Sequence, residues 1–469
     1  MGNKSALHIR SPIATVLNRA GQTVLLLLFA ANALAQPNPA SQSARPSPAW
    51  LRSSVVYEIF PRNFSASGDF KGITARLDEL KDLGVDVLWL MPIQPSGEKG
   101  KKGTLGSPYA VRDYYAISPA LGSTNDFREL VAAAHQRGLK VILDVVANHT
   151  AWDSVLMSQP EFYKQDASGK VVPPVPEWSD VAGLNYANPA LRTYMIAMLK
   201  YWLTEFGLDG FRCDVAFMVP TDFWEQARVE LERLKPEIIL LAEASKPDLL
   251  VKAFDFDYSW PLHGALNKVL LDGAPVSELR HSWEQSRREF PTGSLHLRFA
   301  DNHDEARAVA RFSIRGALAA SALMFALDGV PLLYNGMESG DATESGDPAL
   351  FEPLPVFWKS KDRPPLRDIY RDLIKLRKSA AALQNDRVIW LKNSSEADLV
   401  SLLRLDERDE FVFVINFSNR PLIGAVEVMH ANEFKPVKIA GMPEAPASGF
   451  PLIQLKGFEW RVYHRTIAR

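Results

Sequence analysis

The 469-residue chain has a single cysteine, Cys213, so no intrachain disulfide framework is available to it. It also lacks an excess of either charge. Lys and Arg total 53 against 55 Asp and Glu, a net charge of −2, so there is no basic field to recruit nucleic acid or hold a membrane surface. No G-x-G-x-x-G loop follows the first strand-like run, which argues against a dinucleotide-binding open sheet. Long apolar runs are missing as well, apart from "VLLLLFAANA" at 24–33, and that run is shorter than the ~20 residues a spanning helix needs. Lys4, Arg10 and Arg19 precede it and the small-residue stretch "ALA" follows. This pattern reads as a secretory signal over residues 1–35, cut after Ala35. The mature chain is expected to be periplasmic or secreted, with no stable membrane span.

What is present fits one large domain and one small one. Residues 36–49, "QPNPASQSARPSPA", are rich in Pro, Ser and Ala and read as a disordered linker. From Trp50 to about 385, strand-like and amphipathic helical segments alternate: "SVVYEIF", "ITARLDELKDLG", "VDVLWLMP", "TNDFRELVAAAHQRG", "LKVILDVV" and onward. An irregular stretch at about 147–188 is too long for an ordinary connection and reads as a small inserted subdomain. Eight strand–helix units predict a catalytic (β/α)8 TIM barrel over 50–385. After 386 the pattern becomes short alternating runs between turn signals, which predicts a C-terminal antiparallel β-sandwich over 386–469.

In such a barrel, reactive groups sit at the C-terminal ends of strands. The third strand ends in Asp144, Asn148 and His149, the fourth in Arg212 and Asp214, the fifth in Glu243, and the seventh in Asp301, Asn302, His303, Asp304 and Glu305. Several carboxyls at one mouth suit retaining glycoside hydrolysis. One carboxylate attacks and a second, protonated, serves the leaving group, with roughly 5–5.5 Å between them. A guanidinium beside Asp214 is expected to favour its ionised form, and a drier site to push Glu243 toward the neutral form. Cys213, alternating with these residues, is expected to face the outer layer as a buried filler.

"DVVANHT", "GFRCDVA", "LLAEAS" and "FADNHD" resemble, in order and spacing, the four main segments of the α-amylase superfamily, glycoside hydrolase family 13, and "GLNY" (183–186) looks like its additional segment. The resemblance implies that Asp214 is the nucleophile, Glu243 the acid and then the base, and Asp304 the clamp on the sugar hydroxyls. It further implies that Arg212 orients Asp214, that His149 and His303 bind the reacting sugar, and that Tyr109 of "SPYAVRDYY" stacks beneath it. Asp113 and Asp144 look like supports. Trp152, Trp178 and Trp260 either stack sugars at outer subsites or pack the insert.

The family's Lys-His pair after the nucleophile is replaced here by Phe217 and Met218 in "DVAFMVP". Asn148 matches one usual calcium ligand, but Asp153, Asp166 and Asp180 have no spacing that makes them its partners. No cofactor is required on this reading, and calcium stays an option. "TDFWEQAR" looks like the neopullulanase and cyclomaltodextrinase branch. The expected activity is hydrolysis of α-glucosidic bonds in soluble malto-oligosaccharides or related α-glucans. Two alternatives stay open: a transglycosylase or isomerase of the same superfamily, and a non-catalytic carbohydrate-binding relative. The sequence carries no signal that sets an oligomeric state.

Overall fold

The computed structural model describes residues 38–359, 366–442 and 450–467. The signal expected at 1–35 lies outside the described residues. Eight parallel strands close a barrel: β1 Val56–Ile59, β2 Val87–Leu90, β3 Lys140–Val145, β4 Gly210–Cys213, β5 Ile239–Ala242, β6 Phe256–Tyr258, β7 Leu295–Arg298 and β8 Val330–Tyr334. Each strand pairs with its sequence neighbours, and Val56 of β1 sits level with both Val87 of β2 and Leu332 of β8, which closes the ring. Both faces of the ring are covered, so the strands read as apolar runs rather than alternating ones. One set of side chains, including Val56, Val87, Ile142, Ile239, Leu241, Phe256, Leu297 and Val330, fills the barrel interior. The other set, including Tyr57, Leu88, Val141, Phe211 and Leu240, packs outward under the helices. Cys213 belongs to this outer set and is buried. Gly210 opens β4 because a Cβ there would sit 1.9 Å from the carbonyl oxygen of Ile239.

The lower, N-terminal rim of the barrel is tied by aspartates. Asp86, Asp209 and Asp255 each stand one residue before β2, β4 and β6, and each accepts a backbone N–H from the preceding strand's segment: Val55 (3.0 Å), Val141 (2.8 Å) and Leu240 (2.7 Å). Each also meets a cation: Lys378, Lys235 (2.7 Å) and Arg228 (2.6 Å), respectively. Residues 38–49 differ from the expected linker. Ser43 bridges to Thr292, the Arg45 backbone N–H bonds to the Leu250 carbonyl at 3.0 Å, and the Arg45 guanidinium pairs with buried Asp255 and with Glu232. Composition could not reveal this, because these contacts join residues about two hundred positions apart in sequence.

Within 147–188 the chain forms a short antiparallel pair, His149–Ala151 with Val181–Gly183. The helix Ala308–Ala326 is long and apolar enough to cross a membrane, but most of it is buried within the fold. After the helix Arg367–Ser379, a five-stranded antiparallel sheet runs in the order Val388–Trp390, Leu399–Leu405, Asp409–Asn416, Trp460–Thr466, Lys435–Pro436. The pair Leu422–Ala425 and Leu452–Leu455 packs over it through Val412, Val414, Leu422, Ile453 and Tyr463. Arg404 of this domain is buried and donates to the Ala326 carbonyl at 2.6 Å, fastening the sheet to the barrel.

Candidate active site

Five carboxyls and one guanidinium meet at the upper mouth of the barrel. Asp144 of β3 and Arg212 of β4 are register partners, and Arg212 Nη1 donates to both Asp144 oxygens at 2.8 and 2.9 Å. The same Nη1 donates to Asp214 Oδ1 at 3.2 Å. The other arm, Nη2, lies 2.9 Å from Glu243 Oε2, as an ion pair without the alignment of a hydrogen bond. Nε donates to the Tyr258 hydroxyl at 3.2 Å, and the guanidinium lies over the Trp89 ring at 5.1 Å. Arg212 is fully buried and held on every side, so the carboxyls of Asp214 and Glu243 are fixed against two arms of one rigid plane.

The turn after β4 adds a further constraint. Val215 adopts φ 36° and ψ 47°, a left-handed conformation rare for a β-branched residue. This turn aims its N–H at Glu243 Oε2, 2.7 Å away. Asp214 Oδ2 is buried and has no hydrogen-bond partner.

Burial lifts both carboxyls of this pair, and Glu243's charge lifts Asp214 further, against Arg212. Asp214 is raised well above the ordinary carboxylate range, contrary to the expectation that its guanidinium neighbour would keep it low. The reason is competition: Arg212 is shared with Asp144 and Glu243, and Asp144 holds it at shorter range. Both carboxyls therefore hold a proton to higher pH than a solvated carboxylate would.

Tyr109 is buried beside them, its hydroxyl 2.7 Å from His303 Nε2 and 3.1 Å from Asp144 Oδ2, with its ring stacked on His303 at 5.5 Å. His303 Nδ1 bonds Glu58, and its Nε2 lies 3.3 Å from Asp304 Oδ1. Burial alone would lower His303, but the carboxyls of Asp304 and Glu58 overcome it and hold the imidazole at about 9, protonated at neutral pH. His149 is the opposite case: burial lowers it to about 4, so it stays neutral, 4.0 Å from Asp214 Oδ2 and edge-on to Trp178. Asp304 is the most open of the acids, with 35% of its side chain exposed. Asp113 lies apart from this cluster and accepts from the Tyr115 N–H two residues on.

The α-amylase catalytic-domain family matches residues 58–168 and 177–386. The chain belongs to the α-amylase family of glycoside hydrolases. An α-amylase of Haloarcula japonica is 30% identical over 80% of this chain, which spans 57% of that enzyme's length. The intracellular maltogenic amylase of Bacillus subtilis is 28% identical over 80% of this chain and 70% of its own, in line with the branch that "TDFWEQAR" resembles. The crystal structure of a maltogenic α-amylase from Thermotoga neapolitana superposes with a TM-score of 0.80 at 30% identity, covering 89% of this chain and all of that one.

Asn148, matched by the resemblance to a calcium ligand, is buried beside His149. Its Nδ2 faces His149 Nδ1 at 3.3 Å and the sulfur of Met218 at 3.8 Å. Asp153 accepts the Glu98 N–H through Oδ2 while its Oδ1 is buried without a hydrogen-bond partner, Asp166 caps its own turn at Ser168 and Lys170, and Asp180 pairs with Lys102. Among the described residues no three His, Cys, Asp or Glu side chains converge on a point.

Sequence reasoning missed Glu58, Trp89 and Tyr258. Glu58 stands in "VYEIF" and is fully buried in β1, a lone acid in an apolar strand, and that was the available signal. Trp89 Nε1 donates to Asp144 Oδ2 at 3.2 Å, and its ring meets His303 edge-on. Trp152 bonds within the insert to the Ser179 carbonyl, and Trp260 stacks on Tyr258.

Proposed function

We propose that the chain is a retaining α-glucoside hydrolase acting on soluble malto-oligosaccharides or related α-glucans. The observation that carries this reading is the pair Asp214 and Glu243 on two arms of one buried arginine, with Asp214 Oδ2 unpartnered. Asp214 Oδ2 attacks the anomeric carbon while Glu243 protonates the departing glycosidic oxygen, giving a β-glycosyl ester on Asp214. Water, deprotonated by Glu243, then attacks the same carbon and releases the sugar with its configuration retained. The pair's shared proton must reside on Glu243 for the first step and returns to it in the second. Asp304, the exposed acid, grips hydroxyls of the distorted ring, and protonated His303 and neutral His149 donate to its oxygens. Tyr109 supplies the platform under the ring. Asn148 serves this chemistry through its contact with His149. The protein is exported by cleavage after Ala35, although the Bacillus relative is named an intracellular enzyme.

A second reading, transfer to a sugar acceptor, is favoured by one feature. Phe217, 52% exposed, sits in the turn Ala216–Met218 just after Asp214 and offers an apolar face to an incoming sugar. Incubating the protein and its Asp214→Asn variant with maltoheptaose, β-cyclodextrin and pullulan separates the readings. Shorter products from wild type alone support hydrolysis, and longer products as well support transfer. Intact substrates throughout overturn both.

A further inference from the structure

The segment Gly97–Gly106, "GEKGKKGTLG", has a glycine at every third position and leads directly to Tyr109. Its base is fixed where Ser96 bridges to Val111 and the Gly97 N–H bonds to the Ala110 carbonyl at 2.8 Å. From there it spans two other parts of the molecule. On one side it is tied to the insert after β3: the Glu98 N–H donates to Asp153 Oδ2 at 3.0 Å, and Lys102 pairs with Asp180 at 2.9 Å. On the other side it is tied to the segment after β8. The Thr104 N–H donates to Glu352 at 2.9 Å, the Leu105 N–H donates to the Phe351 carbonyl at 2.9 Å, and Arg62 donates to both the Gly106 and Leu350 carbonyls. The glycines make the fit. A Cβ on Gly97 would lie 2.2 Å from Ala151 Cβ, and one on Gly103, at φ +62°, would lie 2.5 Å from Phe351 Cβ.

This strap crosses the rim above β1 and β2, between elements that follow β3 and β8. On the ring of eight strands, β1 and β2 stand opposite β5 and β6, and β5 carries Glu243. If Glu243 serves the leaving group and Tyr109 lies under the reacting sugar, the end of that sugar remote from the scissile bond points toward the strap. A cavity of about 340 Å³ beside the strap is lined in part by Ser96, Glu98 and Leu105 and by none of the catalytic carboxyls.

We infer that the strap closes the donor end of the sugar site, so that the enzyme cuts from the non-reducing end of soluble oligosaccharides rather than within long chains. The inference rests on the hydrolase reading. The strap is a wall built against longer donors, and specificity of this kind comes from exclusion rather than from added attraction.

Two p-nitrophenyl maltoheptaosides test it, one with a free non-reducing end and one with that end blocked by a 4,6-ethylidene group. Wild type is expected to cleave the blocked substrate at least about tenfold more slowly, as a steric wall predicts. Replacing residues 99–104 by two glycines is expected to bring the two rates within about twofold, with products of maltoheptaose spreading from one early size to several. The variant Lys102→Ala with Glu352→Ala keeps the loop length and cuts one tie on each side, and it is expected to move the ratio in the same direction. Equal rates on both substrates by wild type, or a ratio unmoved in the double variant, would overturn the inference. Wild type inert on both substrates would instead bring down the hydrolase reading, and this inference with it.

Discussion

The two rims of the barrel use the same residue type to opposite ends. At the lower rim, Asp209 is buried, and burial alone would raise it, but hydrogen bonds from His135, Lys235 and the Val141 N–H hold it down at about 2. At the upper rim, Asp214 is buried too, yet it shares one guanidinium with two other carboxyls and is pushed up. The difference is in the supply of donors. Each lower aspartate has a backbone N–H and at least one cation, two of them for Asp255, whereas the upper cluster sets Asp144, Asp214, Glu243, Glu58 and Asp304 against Arg212 and His303. Carboxylates stabilise the fold where donors are plentiful. Where donors are rationed, they become reactive.

The sharpest way to break this contrast is to neutralise the upper pair. Asp214→Asn or Glu243→Gln is expected to lower kcat by several orders of magnitude, because each removes one member of a covalent mechanism. The same changes relieve like-charge repulsion, so the melting temperature is expected to stay the same or rise. Near-normal turnover in pure Asp214→Asn protein, measured on maltoheptaose, would remove Asp214 from its proposed role.

His303 is the exception at the upper rim, a group whose proton is held by the surplus of acids. Its folded value of about 9 lies above its ordinary one, so its contribution to stability is complete below about 6.5 and is lost as pH rises through 9. His303→Gln is therefore expected to be less stable than wild type at pH 6, with the gap in urea midpoints closing by pH 10. It is also expected to lower kcat/KM by about a hundredfold, through the lost donor to the sugar. A stability gap that widens with pH would reverse the charge assignment.

The lower rim gives the converse. Asp209 is depressed from 3.8 to about 2, worth about 2 kcal/mol of stability, which is present above pH 4 and lost as pH falls through 2. Asp209→Asn is expected to lose about that much in urea unfolding at pH 7, with kcat unchanged. The gap should shrink in unfolding at pH 3 and below. An Asp209→Asn enzyme with wild-type stability but impaired turnover would erase the distinction between the rims.

Much of the upper rim was legible because polar residues ending an apolar run are conspicuous. "LDVVANHT", "GFRCDVA" and "FADNHDE" announce a mouth, and the structure brings Asp144, Arg212, Asp214, Glu243, His303 and Tyr109 into one cluster. What could not be read was how many acids divide one arginine. Arg212 and Asp144 are 68 residues apart, and the balance of their distances sets the direction in which Asp214 shifts. Glu58 was hidden inside a strand that otherwise reads as core, and Trp89 and Tyr258 resemble any buried aromatic until Arg212 is seen against both rings. The segment 38–49 has the composition of a linker but carries Arg45, whose partners appear only once the chain has folded.

The smallest expected effect tests how the upper rim obtains its scarce donors. The lower aspartates receive N–H groups from the ordinary backbone at Val55, Val141 and Leu240, whereas Glu243 receives its N–H from Val215 in a left-handed turn. Holding a β-branched residue there costs of order 1 kcal/mol, and a glycine adopts the turn freely. Val215→Gly removes that strain but also frees the backbone before folding and loses the packing of a half-buried side chain, so stability is expected to change by less than about 1 kcal/mol. The rigidity of the donor is what suffers. A looser N–H at Oε2 lets Glu243 rotate and lets its proton occupy either oxygen, and turnover is expected to fall a few-fold while KM holds, with Val215→Ala, which keeps a Cβ, closer to wild type. Turnover unchanged in Val215→Gly would mean that Arg212 alone positions Glu243, and that the strained turn after β4 serves only to carry the chain away from the mouth.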